Sequence, residues 1–188
     1  MDPATHSSSP LDGLITKLER FTEYSGRLLA WLNVAMVALT MFIVVSRYLF
    51  NVSWIAMEES VLYLHSAVFM LASAYTLKHN GHVRVDIFYQ RMTPRSQGWV
   101  DLAGTLFLLF PVIIFLFWQS WPYAAASWAI REHSPESSGL PAVFLLKSLI
   151  PLMCVLIAIQ GLAEALRGLL RTRGATPPER GVIDREEV

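Results

Sequence analysis

The sequence has little cysteine and little charge for its length, and each shortage narrows what the chain can be. Cys154 is the only cysteine among 188 residues, so no disulfide can form within the chain, and we interpret it as a small packing residue. Charged residues make up 16% of the chain and hydrophobic residues 54%, whereas about 25% of a typical soluble domain is charged. This composition favours a membrane protein.

Motifs for catalysis are missing as well. The sequence has no glycine-rich phosphate loop, no Cys/His metal spacing and no Ser/His/Asp grouping at one depth. His65 is the only histidine well inside an apolar segment, so ligation of haem by two histidines lacks its second ligand, and we interpret His65 as a hydrogen-bonded packing residue. We therefore expect no enzymatic activity, no cofactor, no bound metal and no nucleic-acid partner.

Four long apolar segments dominate the sequence instead. They extend over residues 28–50, 55–77, 102–126 and 142–166. A helix needs about 20 apolar residues to cross a hydrocarbon core about 30 Å thick, and each segment is about that long. The sequence thus predicts an all-α integral membrane protein whose four transmembrane helices form one domain over residues 28–168.

Lysine and arginine are distributed unevenly between the connections. They are frequent before the first segment, between the second and third, and after the fourth, whereas connections 51–54 and 127–141 hold only Arg131. Basic residues concentrate on the cytoplasmic side of membrane proteins. Both termini are therefore predicted to be cytoplasmic, which requires an even number of crossings.

The two ends of the chain differ from the apolar segments. Residues 1–10 are polar and rich in Ser and Pro, are not typical of a cleavable signal peptide, and are predicted to be disordered. Residues 11–27 carry apolar side chains at helical spacing and predict an amphipathic helix at the cytoplasmic interface, with packing on a partner as the alternative. Residues 169–188 are predicted to be a disordered cytoplasmic tail.

Charged residues near the outer ends of the segments are candidates for function. Arg47 closes the first segment, and Glu58 and Glu59 open the second, so we predict a pair between Arg47 and one of these carboxylates. An ion or substrate site is the functional alternative. Lys147 lies near the start of the fourth segment and is expected either to extend to the interface or to pair with Glu58, Glu59 or Glu136.

Two further sets of charges lie nearer the cytoplasmic side. Glu164 and Arg167 are three residues apart at the end of the fourth segment and are interpreted as an interfacial pair. Asp86 and Asp101 flank the basic 78–101 connection and are expected to be solvated.

Several short motifs occur together in a characteristic order. They are Arg47-Tyr48-Leu49-Phe50-Asn51, Trp54, Glu58-Glu59, the run from Lys78 to Asp86 that contains Gly81-His82-Val83, and Glu136-Ser137-Ser138-Gly139-Leu140-Pro141, followed by Lys147, Pro151 and Gln160. In this order, over roughly residues 25–170, the chain resembles the small permease subunit of tripartite ATP-independent periplasmic (TRAP) transporters.

The resemblance implies a non-catalytic subunit in the bacterial inner membrane. Its expected partners are a large permease, a periplasmic substrate-binding protein and membrane lipids. The small subunit would brace the scaffold of the large one and help dock the binding protein during sodium-driven uptake of an organic acid, usually a carboxylate. Sodium would bind the large subunit and not this chain.

The resemblance also assigns candidate roles to individual residues. Contacts with the large subunit, lipid headgroups or the binding protein are expected at Arg47, Trp54, Glu58, Glu59, Arg131, Glu136 and Lys147. A structural role in the 78–101 connection is expected for Gly81, His82 and Asp86. The rival hypothesis is a self-contained four-helix protein, such as a small channel or a membrane anchor of a redox complex.

Overall fold

The described part of the chain is almost entirely helical. The computed structural model describes residues 10–79, 89 and 91–175. They form four long helices: α1 (Pro10–Phe50), α2 (Ile55–Lys78), α3 (Pro94–Ala129) and α4 (Val143–Thr172). All four are long and apolar enough to cross a membrane, and the described residues contain no strand. The all-helical class is thereby confirmed for this part of the chain, as are four helices with the length and composition that a membrane crossing requires.

The first helix differs from its prediction. Residues 11–27 were expected to form a separate helix, but the backbone remains helical without a break from Pro10 to Phe50. The buried side of this first stretch is formed by Ile15, Glu19 and Thr22. Glu19 and Thr22 both bond to residues of α4. The segment is therefore an extension of the first crossing that packs within the chain.

Farther along α1, one stripe of side chains faces the rest of the molecule. All but one of the buried or half-buried residues, the exception being Val45, recur every third or fourth position: Leu29, Leu32, Met36, Leu39, Ile43 and Ser46. This 3–4 spacing keeps side chains on one face of a helix and is typical of antiparallel helix packing. The other faces of α1 remain open, as shown by Trp31, which is 72% exposed.

A residue in the left-handed region follows each of the two helices that end on the same side of the bundle. Asn51 follows α1 with φ 55° and Arg131 follows α3 with φ 49°, both in the left-handed region. A single residue in this conformation reverses the chain direction and ends a helix, and Asn tolerates it better than most residues do. The short 51–54 connection therefore makes α1 and α2 a tight antiparallel hairpin.

The third helix begins earlier than its apolar segment. Thr93 caps it, because its Oγ1 accepts a hydrogen bond from Ser96 N at 3.3 Å, and Pro94 occupies the first turn. One wide π-helical turn, Thr105–Leu109, interrupts α3. Pro111 lies just beyond this turn and lacks the amide hydrogen of a regular helix, which accounts for the local widening.

Helix α4 organises the bundle. It packs against each of the other three helices, and α3 lies against α4 without extensive packing on α1 or α2. Most buried residues of α4 fall between Gln160 and Thr172, so the chain's own core lies at this end. The helix also continues through residues 169–172, which had been assigned to the disordered tail.

Candidate functional site

Polar contacts gather at the two ends of the bundle, which we name the Arg167 end and the Arg47 end. The Arg167 end holds the start of α1, the end of α2, the start of α3 and the end of α4. At its centre Arg167 Nε donates to Glu19 Oε1 at 2.5 Å, and the two side chains are only 4% and 5% exposed. The guanidinium of Arg167 therefore lies in the core and bonds to α1, a contact that the interpretation of Glu164 and Arg167 as an interfacial pair did not include.

A second set of buried polar groups joins α1 to α4 near this ion pair. Thr22 Oγ1 donates to Gln160 Oε1 at 3.0 Å, and Gln160 Nε2 donates to Glu164 Oε1 at 3.3 Å. All three residues are buried. Because buried polar groups are stable only when they are hydrogen bonded, this network fixes the register between α1 and α4.

A second ion pair at the Arg167 end joins α1 to α2. Lys78 is 1% exposed, and its Nζ donates to Glu23 Oε2 at 2.7 Å. His79 Nε2 lies 3.1 Å from the same oxygen, and its ring packs on Tyr75. Gly26 leaves room for this aromatic ring, since a Cβ there would come within 2.1 Å of Tyr75 Cδ2.

A third ion pair joins α3 to α4. Arg171 Nη1 donates to Asp101 Oδ2 at 2.9 Å, and Tyr89 Oη donates to the same oxygen at 2.7 Å. Asp101 is therefore bonded, in contrast to the prediction that it is solvated. The backbones meet nearby at Gly98 and Gly168, where a Cβ on either glycine would lie within about 3 Å of the other's carbonyl oxygen (2.9 and 3.0 Å).

At the Arg47 end, α1 and α2 are tied together beside their connection. Arg47 Nη2 donates to Glu58 Oε1, the partner that the sequence had offered as one of two alternatives. Ser53 Oγ donates to the same oxygen at 2.9 Å. The side chains of Arg47 and Glu58 remain 52% and 44% exposed, so the pair stays accessible to a partner or to lipid headgroups.

Glu59, the neighbouring carboxylate, holds the 130–142 connection. Its Oε2 accepts a hydrogen bond from Leu140 N at 2.6 Å, and its Oε1 accepts one from Ser134 Oγ. The connection also closes on itself, because Ser134 N donates to Leu140 O at 3.1 Å. Glu59 therefore fixes this connection to the start of α2.

Lys147 has a partner that the sequence analysis did not name. Its Nζ donates to Glu132 Oε2 at 2.5 Å and lies 4.2 Å from the centre of the Tyr123 ring. Glu58, Glu59 and Glu136 had been proposed as partners. Glu132 lies in the 130–142 connection, and the hydrogen bond from Lys147 lowers the pKa of this carboxyl.

The remaining candidates at this end are exposed. The guanidinium of Arg131 lies over Trp128 and Phe144, with its Cζ 5.4 and 5.5 Å from the ring centres. Trp54 stacks on Phe42 at 6.3 Å, and Glu136 is exposed in the 130–142 connection. Gly81, His82 and Asp86 lie outside the described residues, as do residues 1–9 and 176–188.

Within the described part of this chain, His65 is not the hydrogen-bonded packing residue that the sequence predicted. Its side chain is exposed, and within the described part of the chain it makes no hydrogen bond, its one ring contact being with Phe69 at 6.4 Å. Asn33 on α1 is also exposed and was not singled out from the sequence. For both residues, the sequence showed a polar side chain within an apolar segment, but it did not show which face of the helix carries that side chain.

The chemistry of these contacts is structural. Glu19, Glu23, Glu58, Glu59, Asp101 and Glu132 each accept hydrogen bonds from a neighbouring helix or connection. Among the described residues no group of three or more His, Cys, Asp or Glu could hold a metal ion. What the arrangement does is join four helices at their ends, while the apolar faces between those ends stay open.

A comparison with known protein families identifies the group of membrane proteins to which this chain is similar. Residues 36–171 match the family model described as tripartite ATP-independent periplasmic transporters, DctQ component. The match covers well over half of the chain. It includes the second part of α1, the whole of α2 and α3, and all but the last residue of α4. The chain belongs to this family. A search of curated proteins finds no individual relative that matches.

Membership gives the architecture its context. The chain is the DctQ-type membrane component of a TRAP transporter, and the resemblance found in the sequence is confirmed. Residues 10–35, which include Glu19, Thr22 and Glu23, lie outside the matched range, although they complete the network at the Arg167 end.

Proposed function

We propose that this chain is a non-catalytic scaffold subunit. It braces the stationary part of the large TRAP permease and helps dock the periplasmic substrate-binding protein, while the large subunit takes up an organic acid, a carboxylate, with sodium. In this arrangement both termini of the chain are cytoplasmic, and the Arg47 end faces the periplasm.

The openness of the helices supports the scaffold role. Only 6% to 17% of the residues in the most apolar stretch of each helix are buried within the chain. Helices α1 and α3 pack on one side only, so most of their apolar surface must be covered by lipid or by another subunit. The ion pairs support the same conclusion, because each of them joins one helix to another helix or to a connection at an end of the bundle.

The Arg47 end carries the features that suit docking. Glu59 fixes the 130–142 connection, so its exposed surface has a defined shape, and the Arg47–Glu58 pair and Arg131 lie on exposed positions at the same end. Charged groups at the rim of an interface orient a soluble partner and speed its encounter. A periplasmic binding protein would approach from this side.

Co-purification and reconstitution test the proposal. The chain is co-expressed with the large permease, and both are placed in proteoliposomes with the binding protein under a sodium gradient. We expect the chain to co-purify with the permease, to give no uptake alone, and to be required for uptake by the complex. Sodium-driven uptake by the chain alone would contradict the proposal, and a haem Soret band on the purified chain would favour the rival redox anchor.

A charge substitution tests the docking surface separately. Arg47→Ala removes one partner of an exposed pair, so it should change the melting temperature of the chain little. It should nevertheless lower complex yield or binding-protein affinity more than Arg180→Ala, which alters the terminal region. Equal yields and equal affinities for the two variants would remove Arg47 from the proposed surface.

A further inference from the structure

Two exposed polar side chains lie within the first two crossings. His65 is six residues inward of Glu59 and thirteen residues from Lys78 on α2, or about 9 Å and about 20 Å along the helix axis. Asn33 is fourteen residues from Arg47 on α1, about 21 Å. Both are exposed, and neither hydrogen bonds to another residue of the part that the structure describes.

The two side chains belong to one face of the α1–α2 hairpin. A groove of about 410 Å³ runs between the helices and is lined by Met36, Val37, Thr40, Met41, Val44 and Val61. One helical turn inward on α1 leads from Val37 to Asn33, and one turn inward on α2 leads from Val61 to His65. Since residues four apart lie on the same side of a helix, Asn33 and His65 flank the inward continuation of this groove.

The exposed side of α2 has the spacing of a helix-binding seam. Its exposed positions are Ile55, Glu58, Leu62, His65 and Phe69, which alternate in steps of three and four residues. This heptad spacing is the pattern by which one helix packs along another. Because α2 already packs on α1 and α4, the seam is a third face that no other described helix covers.

Lipid tails do not satisfy this face. Acyl chains offer no hydrogen bonds, and a polar group left without a partner in hydrocarbon costs free energy. Polar side chains within crossings therefore face protein or water, and amide and imidazole groups commonly join helices by hydrogen bonds. An imidazole and an amide beside one groove can together receive a polar side chain from an added helix.

We propose that the α1–α2 face carrying Asn33 and His65 binds a membrane-spanning helix of the large permease, which places a polar side chain between them. This inference rests on the proposed scaffold function and names the surface through which the function is exerted. A groove with only apolar walls would suit lipid equally well, but one flanked by an amide and an imidazole is complementary to a helix that brings a hydrogen-bonding group.

The surface of α3 provides the contrast. The groove between α3 and α4, of about 490 Å³, is lined by apolar side chains except Ser148, whose hydroxyl donates to Phe144 O and accepts from Trp128 Nε1. Gln119 is exposed on α3 and lies one turn inward of Tyr123, whose ring contacts Lys147 near the Arg47 end. It lies ten residues from Ala129 at the end of α3, as His65 lies ten residues from Ile55 at the start of α2, so the two positions are comparable in depth but belong to different faces of the bundle. Gln119 is therefore a matched control.

Leucine substitutions give opposite results for a protein-facing and a lipid-facing position. In the full complex, Asn33→Leu and His65→Leu should each weaken retention of the large permease about threefold to tenfold, because an interhelical hydrogen bond is lost. Gln119→Leu should leave retention unchanged, and His65→Gln should restore part of the loss, since it keeps a donor and an acceptor. Unchanged or stronger retention in both Asn33→Leu and His65→Leu would overturn the inference.

Site-specific photo-crosslinking identifies the occupant. A photoreactive residue replaces Phe69 in the seam, or Phe107 on α3 as the control, and the complex is purified through the large permease before irradiation. We expect an adduct with the large permease from position 69 and a weaker one or none from position 107. If the permease co-purifies but position 69 yields only a dimer of this chain or no protein adduct, the inference fails and the scaffold function stands. If the permease does not co-purify at all, both fail.

Discussion

Arg167 and Glu19 form a buried ion pair that joins the fourth helix, α4, to the first, α1. Their Nε and Oε1 atoms are 2.5 Å apart, and both side chains are almost fully buried. Removing one member of a buried pair leaves an unpaired charge, which costs about 3–5 kcal/mol, whereas exposed pairs contribute about 0–1 kcal/mol. The ion pair at the Arg167 end should therefore contribute more to the stability of the chain than the exposed pair at the Arg47 end.

We therefore expect Glu19→Gln to lower the stability of the chain by a few kcal/mol, and Glu58→Gln, at the exposed Arg47 pair, by less than about 1 kcal/mol. Thermal unfolding of the two variants in the same detergent measures the difference. Equal melting temperatures would show that the Arg167–Glu19 pair does not stabilise the packing of α1 more than the Arg47–Glu58 pair does.

The crossing of α3 and α4 depends on two glycines. A Cβ on Gly168 would lie 3.0 Å from Gly98 O and 3.1 Å from Leu102 N, both of them backbone atoms that cannot move aside. Gly168→Ala should thus destabilise the chain by about 1–3 kcal/mol through overpacking. Gly104→Ala is the control, because a Cβ added there would meet no atom within 4 Å, and it should be neutral or stabilising. Unfolding midpoints give both values, and a stable Gly168→Ala variant would contradict the close crossing.

The number of crossings could be predicted because the thickness of the hydrocarbon core sets how long and how apolar each segment must be. Both properties can be read directly from the sequence. The pair between Arg47 and Glu58 was predictable for a related reason: a connection of four residues leaves both side chains at the same depth. Neither inference requires knowledge of how separate helices are arranged.

The arrangement of the helices could not be obtained in this way. Glu19 bonds to Arg167, 148 positions away, and nothing in the sequence near either residue identifies the other. The orientation of His65 was missed for the same reason, since most of its neighbours on every side of α2 are apolar. The face that a uniformly apolar helix turns outward depends on what it packs against, which only the tertiary structure shows.

Glu59 gives a test of how the 130–142 connection is held. Glu59→Ala removes the acceptor of Leu140 N and Ser134 Oγ, so the connection should open more often while the helices stay folded. Hydrogen exchange at Leu140 should become faster, on the order of tenfold if about 1.4 kcal/mol of local stability is lost. Glu136→Ala, which alters an exposed carboxylate in the same connection, should leave that exchange rate unchanged. Equal exchange in both variants would show that Glu59 does not anchor the connection.

The ion pair between Glu132 and Lys147 predicts the direction in which the stability of the chain changes with pH. The hydrogen bond from Lys147 lowers the pKa of the Glu132 carboxyl below its usual value of 4.5. A carboxyl with a lowered pKa in the folded state stabilises the fold at every pH above its unfolded pKa, and the contribution is lost as the pH falls through the folded pKa. Glu132→Gln should therefore melt below the unmodified chain by a constant margin from about pH 6 to pH 8. The margin should shrink below about pH 4.5 and vanish once Glu132 is protonated in the folded state. Melting curves of the two proteins across this range check the expectation, and a margin that grows as the pH falls would show that Glu132 is not held as a carboxylate by Lys147.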